Sequence, residues 1–395
     1  MLPYVKINFE NGRLGSVAPS ADCVVGLVCN AVGVDGKLTL EKPYILYRTE
    51  GLEDLGVTSA INDVNAHLYK VVKDFYAQAG DGAELWLLPV AGGKKQSEVL
   101  EVAKEFVKKA NGRLRFLAIA VSQNDLTIEN GLDKDVMVAA AAAQELGEWA
   151  TNSLYAPLVV LLEAKGVSDD TIVDMPDLTE QGYNRVGILV GDTEQNSTGA
   201  AMGVLAGKLA ACPIQRHIGR VRDGSLVMTT CYIGSKDATV ADVETLNNKG
   251  YITFRTFVGK AGYFFADDHL ATAVEDDYRS IARRRTIDKA YRIAYDTMLN
   301  YVNDEIPVTN EGTLVPSMCK AWESELEVAI MNNMTANGEL GVDASDDSDT
   351  GVRCFIDYNQ KVLSTSRIEI ALSVKPYGYA KYIEVKLGFL TTNEN

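Results

Sequence analysis

The chain has 395 residues, 47% hydrophobic and 23% charged, the composition of a globular protein with room for two or three cored domains. Its formal charge of −16 argues against nucleic acid as a partner, because phosphate recognition needs a basic surface. No apolar run nears the length of a membrane span, so direct membrane insertion is not expected, and Met1–Asn11 lacks the apolar core of a signal peptide.

The first candidate element is a strand in which Val5, Ile7 and Phe9 alternate with Lys6, Asn8 and Glu10. From residue 21 to 212 strand and helix then alternate. Asp22–Cys29, Tyr44–Tyr47, Glu84–Val90, Arg115–Val121, Pro157–Glu163 and Arg185–Val190 read as strands. Between them, Ile61–Ala79, Ser97–Ala110, Lys134–Asn152 and Ser197–Ala211 read as helices, the first stopped by Gly80-Asp81-Gly82 and the second capped by Ser97. Strands that are apolar on both faces, alternating with helices, predict an α/β unit with a mostly parallel sheet.

The pattern changes after residue 212. Ser225–Ile233 and Tyr251–Val258 are predicted strands around a short helix at Ala241–Asn248. Helices follow at Asp276–Val302 and Val315–Asn337. The last strands are Val352–Asp357, Arg367–Val374 and a terminal one in which Ile383, Val385, Leu387 and Phe389 alternate with polar residues and Gly388. This order predicts an α+β second domain with a boundary near Gly250. The resulting plan is an arm at 1–20, an outer domain at 21–250, a core domain at 251–378 and an arm at 379–395. A terminal strand with one apolar edge either completes its own sheet or joins a neighbour's.

Chemistry-bearing motifs are sparse. The six cysteines form no C-x-x-C pair and read as reduced, buried thiols. His67, His217 and His269 have no His or Cys at ligand spacing, so no metal site is expected. No G-x-S-x-G elbow is present. Gly203–Lys208 imitates a phosphate loop, but Leu209 stands where Ser or Thr would hold the metal, and Gly92-Gly93-Lys94-Lys95 lacks the leading glycine. Asp343–Asp349 lacks the order of a calcium loop and reads as a solvated turn. The turn Gly191-Asp192-Thr193 ends a strand where α/β folds bind ligands, which makes a ligand-binding protein or enzyme working at Asp192 the alternative reading. One basic cluster stands out. Arg279, Arg283, Arg284, Arg285, Lys289 and Arg292 lie on a predicted helix in a stretch, 279–292, whose single acid is Asp288, and read either as a face paired with nearby Asp276, Asp277 and other acids or as a dock for an acidic surface.

Four blocks together resemble the contractile tail sheath family of tailed phages and related injection machines. They are Val24–Val28 with Leu52–Gly56; Phe75–Gly80 with Glu84–Leu87; Ile281–Arg284 opening a long helix; and Leu326 to Gly338, followed by Ile368–Pro376 and a strand from Ile383. The resemblance covers nearly the whole chain and carries no catalytic signature. It implies a non-enzymatic structural subunit without cofactors, found in a virion tail or injection particle and assembled in the bacterial host cytoplasm. Its partners would be further copies of itself in stacked hexameric rings, an inner tail tube protein, and baseplate and terminator proteins. The arms, through Val5, Ile7, Phe9, Ile383, Val385, Leu387 and Phe389, would add strands to neighbouring subunits. The basic helix is then a candidate tube-facing surface, on its charge alone.

Overall fold

A computed structural model describes residues 21–388. Val5, Ile7, Phe9 and Phe389 therefore lie outside the described residues. The first unit is built on six strands: β1 (Val25–Asn30), β2 (Tyr44–Leu46), β3 (Leu85–Val90), β4 (Phe116–Ala120), β5 (Val159–Glu163) and β6 (Val186–Leu189). They are ordered β2-β3-β1-β4-β5-β6, parallel except for the edge strand β2. In β1, β4 and β5 every residue is buried, as expected of strands covered on both faces.

Helices α1 (Asp63–Ala79) and α4 (Met202–Ala211) cover one face, and α2 (Gln96–Lys109) and α3 (Asp135–Leu154) cover the other, so each face of the sheet has its own apolar core. Asn62 accepts the Asn65 N–H at 2.8 Å and caps α1. Gly80, at φ +77°, ends that helix. Ser97 does not cap α2 as predicted. Lys95 holds the cap position, where the Glu98 carboxylate accepts its N–H, while the Ser97 hydroxyl donates to Asp135.

The phosphate-loop imitation lies inside α4 and has a packing explanation. A Cβ at Gly203 would stand 2.2 Å from the Val71 carbonyl oxygen, and one at Gly207 would stand 2.3 Å from that of Phe75. Two bare glycines one turn apart let α4 lie directly against the backbone of α1.

The first unit continues past Gly250. Ile252 exchanges backbone hydrogen bonds with Ile188 and Val190, both at 2.9 Å, and extends the sheet beyond β6. Tyr251, Phe254 and Ala271 are buried in its two cores, and Ala271–Thr272 pairs with Gly182–Tyr183. The change-over therefore falls later than expected, just ahead of the next long helix. The predicted strands Ser225–Ile233 and Tyr251–Val258 shrink to two-residue ladders at Tyr232–Ile233 and Phe254–Arg255.

The second unit contains α5 (Ile281–Leu299), α6 (Pro316–Ile330), a π-helical turn at Met331–Thr335, and a two-stranded antiparallel sheet of β7 (Val352–Phe355) and β8 (Ala371–Val374). Leu372 and Val374 of β8 pack on Ile330, Met334 and Leu340, while Ala371 and Ser373 on the same strand face outward. Each element forms where the period of its apolar residues allows it to bury a single face.

Candidate assembly surface

The small sheet β7–β8 has its apolar face on α6 and its other face, with Arg353, Phe355, Ala371 and Ser373, exposed. No further strand joins either edge among the described residues, and on the β7 edge the Cys354 N–H is donated to Glu327 at 2.7 Å. Directly after β8 the chain becomes the C-terminal arm. Tyr379 donates its hydroxyl to the Gln215 carbonyl at 2.7 Å, and the Lys381 ammonium meets both carboxylate oxygens of Asp267 at 2.6 and 2.8 Å. From Tyr382 to Gly388 the arm leaves the body, with Tyr382 88%, Ile383 78%, Val385 79% and Leu387 95% exposed. Among the described residues, the terminal strand predicted from their alternation does not form. Residues 382–388 lie against no strand, so the pattern has no partner ladder here.

The basic helix is α5, and most of its cations point inward. Arg284 and Arg185 close on Asp288 at 2.7 and 3.2 Å. Lys289 bridges Asp22 at 2.7 Å and Glu339 at 2.8 Å, and Arg292 reaches Asp22 at 3.1 Å. Arg285 donates to the Cys212 carbonyl at 2.9 Å. Burial raises the Asp22 carboxyl, but Lys289 and Arg292 outweigh it and hold the pKa below its ordinary value. Arg284, Arg285 and Lys289 are buried and Arg292 is half-buried, so the tube-facing expectation is corrected for these four; their charge joins the two units of the same chain. Arg283 is exposed and Arg279 half-buried.

Sequence reasoning missed a polar cluster under the arm root. His217, on the loop after α4, faces Asp267 at 2.9 Å and Asp268 at 3.2 Å, and His269 faces Asp267 at 3.3 Å. Asp268 accepts the Ser280 hydroxyl at 2.8 Å and the Ala282 N–H at 3.0 Å, which caps the first turn of α5. Burial lowers the His217 pKa, but the carboxylates of Asp268 and Asp267 more than reverse this and carry it up to about 9. The Gly219 N–H is donated to His217 Nδ1 at 3.0 Å. Burial takes the His269 imidazole down to about 4. Asp267 is held well below the usual carboxylate range: burial acts upward, but the His217 hydrogen bond and the His269 and Lys381 charges prevail.

By composition His217, Asp267 and Asp268 could hold a cation. The Lys381 ammonium already stands on Asp267, and with Gly219 on Nδ1 the neutral ring keeps its proton on Nε2. The only sequence signal was three ionisable residues, 267–269, set between Phe264-Phe265 and Leu270-Ala271.

The ligand-binding alternative looks to the carboxyl ends of the parallel strands, which are filled. At the reversal of strand order, buried Asn30 donates to the Ala91 carbonyl at 3.0 Å and accepts the Ser122 hydroxyl at 3.1 Å, joining the loops after β3 and β4. At the end of β5, Glu163 pairs with Lys165 at 2.5 Å and accepts the Ala200 N–H at 3.0 Å, both side chains being buried. Asp192 is buried, bonded to Ser197 at 2.5 Å and to the Thr193 N–H at 2.6 Å, with Lys70 at 3.5 Å. Its cavity is about 10 Å³, room for about one water.

Models for the N-terminal and C-terminal domains of DUF2586 match residues 2–269 and 277–394. No curated protein matches the chain. Among solved structures, one of the anti-feeding prophage (AFP) baseplate is similar at TM-score 0.63 and 14% identity, covering 99% of both chains. The sheath complex of an extracellular contractile injection system, PVC, in its contracted state, is similar at TM-score 0.61 and 12% identity over 98% of this chain and 97% of that one. A sheath tail protein from Desulfitobacterium hafniense is similar at TM-score 0.52 and 9% identity over 95% of this chain and 100% of that one. The chain has the mixed α/β fold of contractile tail sheath-like proteins over nearly its whole length.

Proposed function

This chain belongs to the DUF2586 family, and we propose that it is a non-enzymatic structural subunit of a contractile sheath. The observation that carries the reading is the C-terminal arm: an alternating apolar strand sequence, exposed over residues 382–388 and paired with no strand among the described residues, issuing beside a two-stranded sheet that no further strand joins there. Subunits would assemble in stacked hexameric rings around an inner tail tube, with baseplate and terminator proteins at the ends, in a virion tail or contractile injection particle assembled in a bacterial cytoplasm. The arms, including Val5, Ile7, Phe9 and Phe389, would complete neighbouring sheets by strand addition, giving head-to-tail contacts that propagate. The arms would then act as hinges while the domains re-pack, and contraction would draw on energy stored at assembly rather than on a nucleotide.

The test is negative-stain microscopy of purified protein, which should show tubes or sheath-like polymers. Deleting residues 382–395, or residues before Asn11, should abolish them while circular dichroism stays unchanged. Unaltered polymers in both deletions would overturn arm exchange. Of the basic residues, Arg283 is the proposed tube contact, with Arg279 at its margin. Arg283→Glu should then weaken co-sedimentation with tube protein more than it weakens self-assembly, and equal loss of both would reject the contact.

A further inference from the structure

The arm changes from held to free within one residue. Tyr379 is fixed to Gln215 and lies with its ring 5.6 Å from that of His217. Lys381 is fixed to Asp267, and Tyr382 is then exposed. The arm's own sequence offers an earlier bending point. Gly378 has open space around it and follows Pro376-Tyr377, so an unrestrained tail would swing there. The carboxylate that receives Lys381 is buried and braced by His217 and His269, and the neighbouring Asp268 is locked to the first turn of α5.

We propose that the pocket of His217, Asp267 and His269 is a socket for the Lys381 ammonium, and that it sets the arm's pivot after Lys381 rather than at Gly378. Only residues 382–395 are then available for exchange, and the direction in which they leave is set by the body of the subunit. This rests on the reading of the arm as a link between subunits. A charged partner on a buried carboxylate suits the task, because removing it leaves Asp267 with only the His217 ring as counter-charge in a site that water reaches poorly.

The experiment is limited chymotrypsin digestion of the unassembled full chain, with each cleavage rate normalised to that of the same bond in urea. In the wild type, cuts after Tyr382 and Leu387 should be fast, and the cut after Tyr379 at least ~10-fold slower, since it requires the root to open first. Lys381→Met should raise cleavage after Tyr379 by roughly tenfold and leave Leu387 unchanged. Lys381→Arg should keep the protection, and Asp267→Asn should lose it. The socket is overturned if Tyr379 is cut as readily as Tyr382 in the wild type, or if Lys381→Met leaves its protection intact. Circular dichroism confirms that each variant is folded; should Lys381→Met not fold, the Arg and Asn pair decides. Because digestion is read before assembly, a failed socket and a failed linking role are separate results. An intact socket with polymers indifferent to both arm deletions would reject the link alone.

Discussion

Asp288 receives Arg284 from its own helix and Arg185 from the base of β6, all three side chains being buried. Replacing it with Asn would leave two guanidiniums without their counter-charge. Asp288→Asn should therefore lower stability by about 3–5 kcal/mol in urea unfolding. Replacing exposed Arg283, which lies outside this network, should change stability by less than about 0.5 kcal/mol. His217 gives a second test at this scale. The groups that face it are Asp267 and Asp268, with His269 and Lys381 on the far side of Asp267. Its folded pKa lies above the ordinary 6.5, so its contribution is complete below pH 6.5 and is lost as pH rises through about 9. The fall in melting temperature between pH 6.5 and 9.5 should be smaller in His217→Gln than in the wild type. The cations of α5 could be counted in the sequence, but their pairing could not: Asp22, Arg185 and Glu339 lie far from them along the chain and meet them only in three dimensions.

Between elements, the crossing of α1 and α4 is the most demanding contact. An alanine at Gly203 or Gly207 would push against backbone carbonyls, which cannot turn aside as a side chain can. Gly203→Ala and Gly207→Ala should each destabilise by roughly 1–3 kcal/mol despite alanine's better helix propensity, as read by thermal unfolding. The parallel strands were legible in the sequence because burial on both faces writes an unbroken apolar run. The segments around Thr230 and Thr256 were not, because β-rich composition alone does not supply a partner strand. The predicted strand at Ile383 has the right alternation and no partner strand among the described residues. The helix predicted at Ser197 begins instead at Met202, because Ser197 is held on Asp192 and the Ala200 N–H on Glu163, which keeps the intervening residues outside the helix.

For the whole molecule, the change of pattern after residue 212 does not mark where the cores of the first unit end. Residues 251–272 look like a new beginning in composition and yet finish the first unit, with Ile252 on the sheet edge and Tyr251 and Phe254 in its cores. The polar cluster at His217 was illegible because its members come from three separated segments. A chain lacking residues 382–395 should melt within about 2 °C of the full-length chain, because Tyr382, Ile383, Val385 and Leu387 bury little apolar surface against the body. A large drop would mean that the tail is part of the core.

The seat of Lys381 also settles where traction on the tail would arrive. Asp267 is joined by one peptide bond to Asp268, which grips the opening turn of α5, and that helix is bolted through Asp288 to the base of β6. A tug from a neighbouring copy would thus bear on the frame of the molecule within a few ångströms of the anchor, instead of being absorbed by slack. Each copy could then behave as a stiff link whose only compliant stretch is the tether itself.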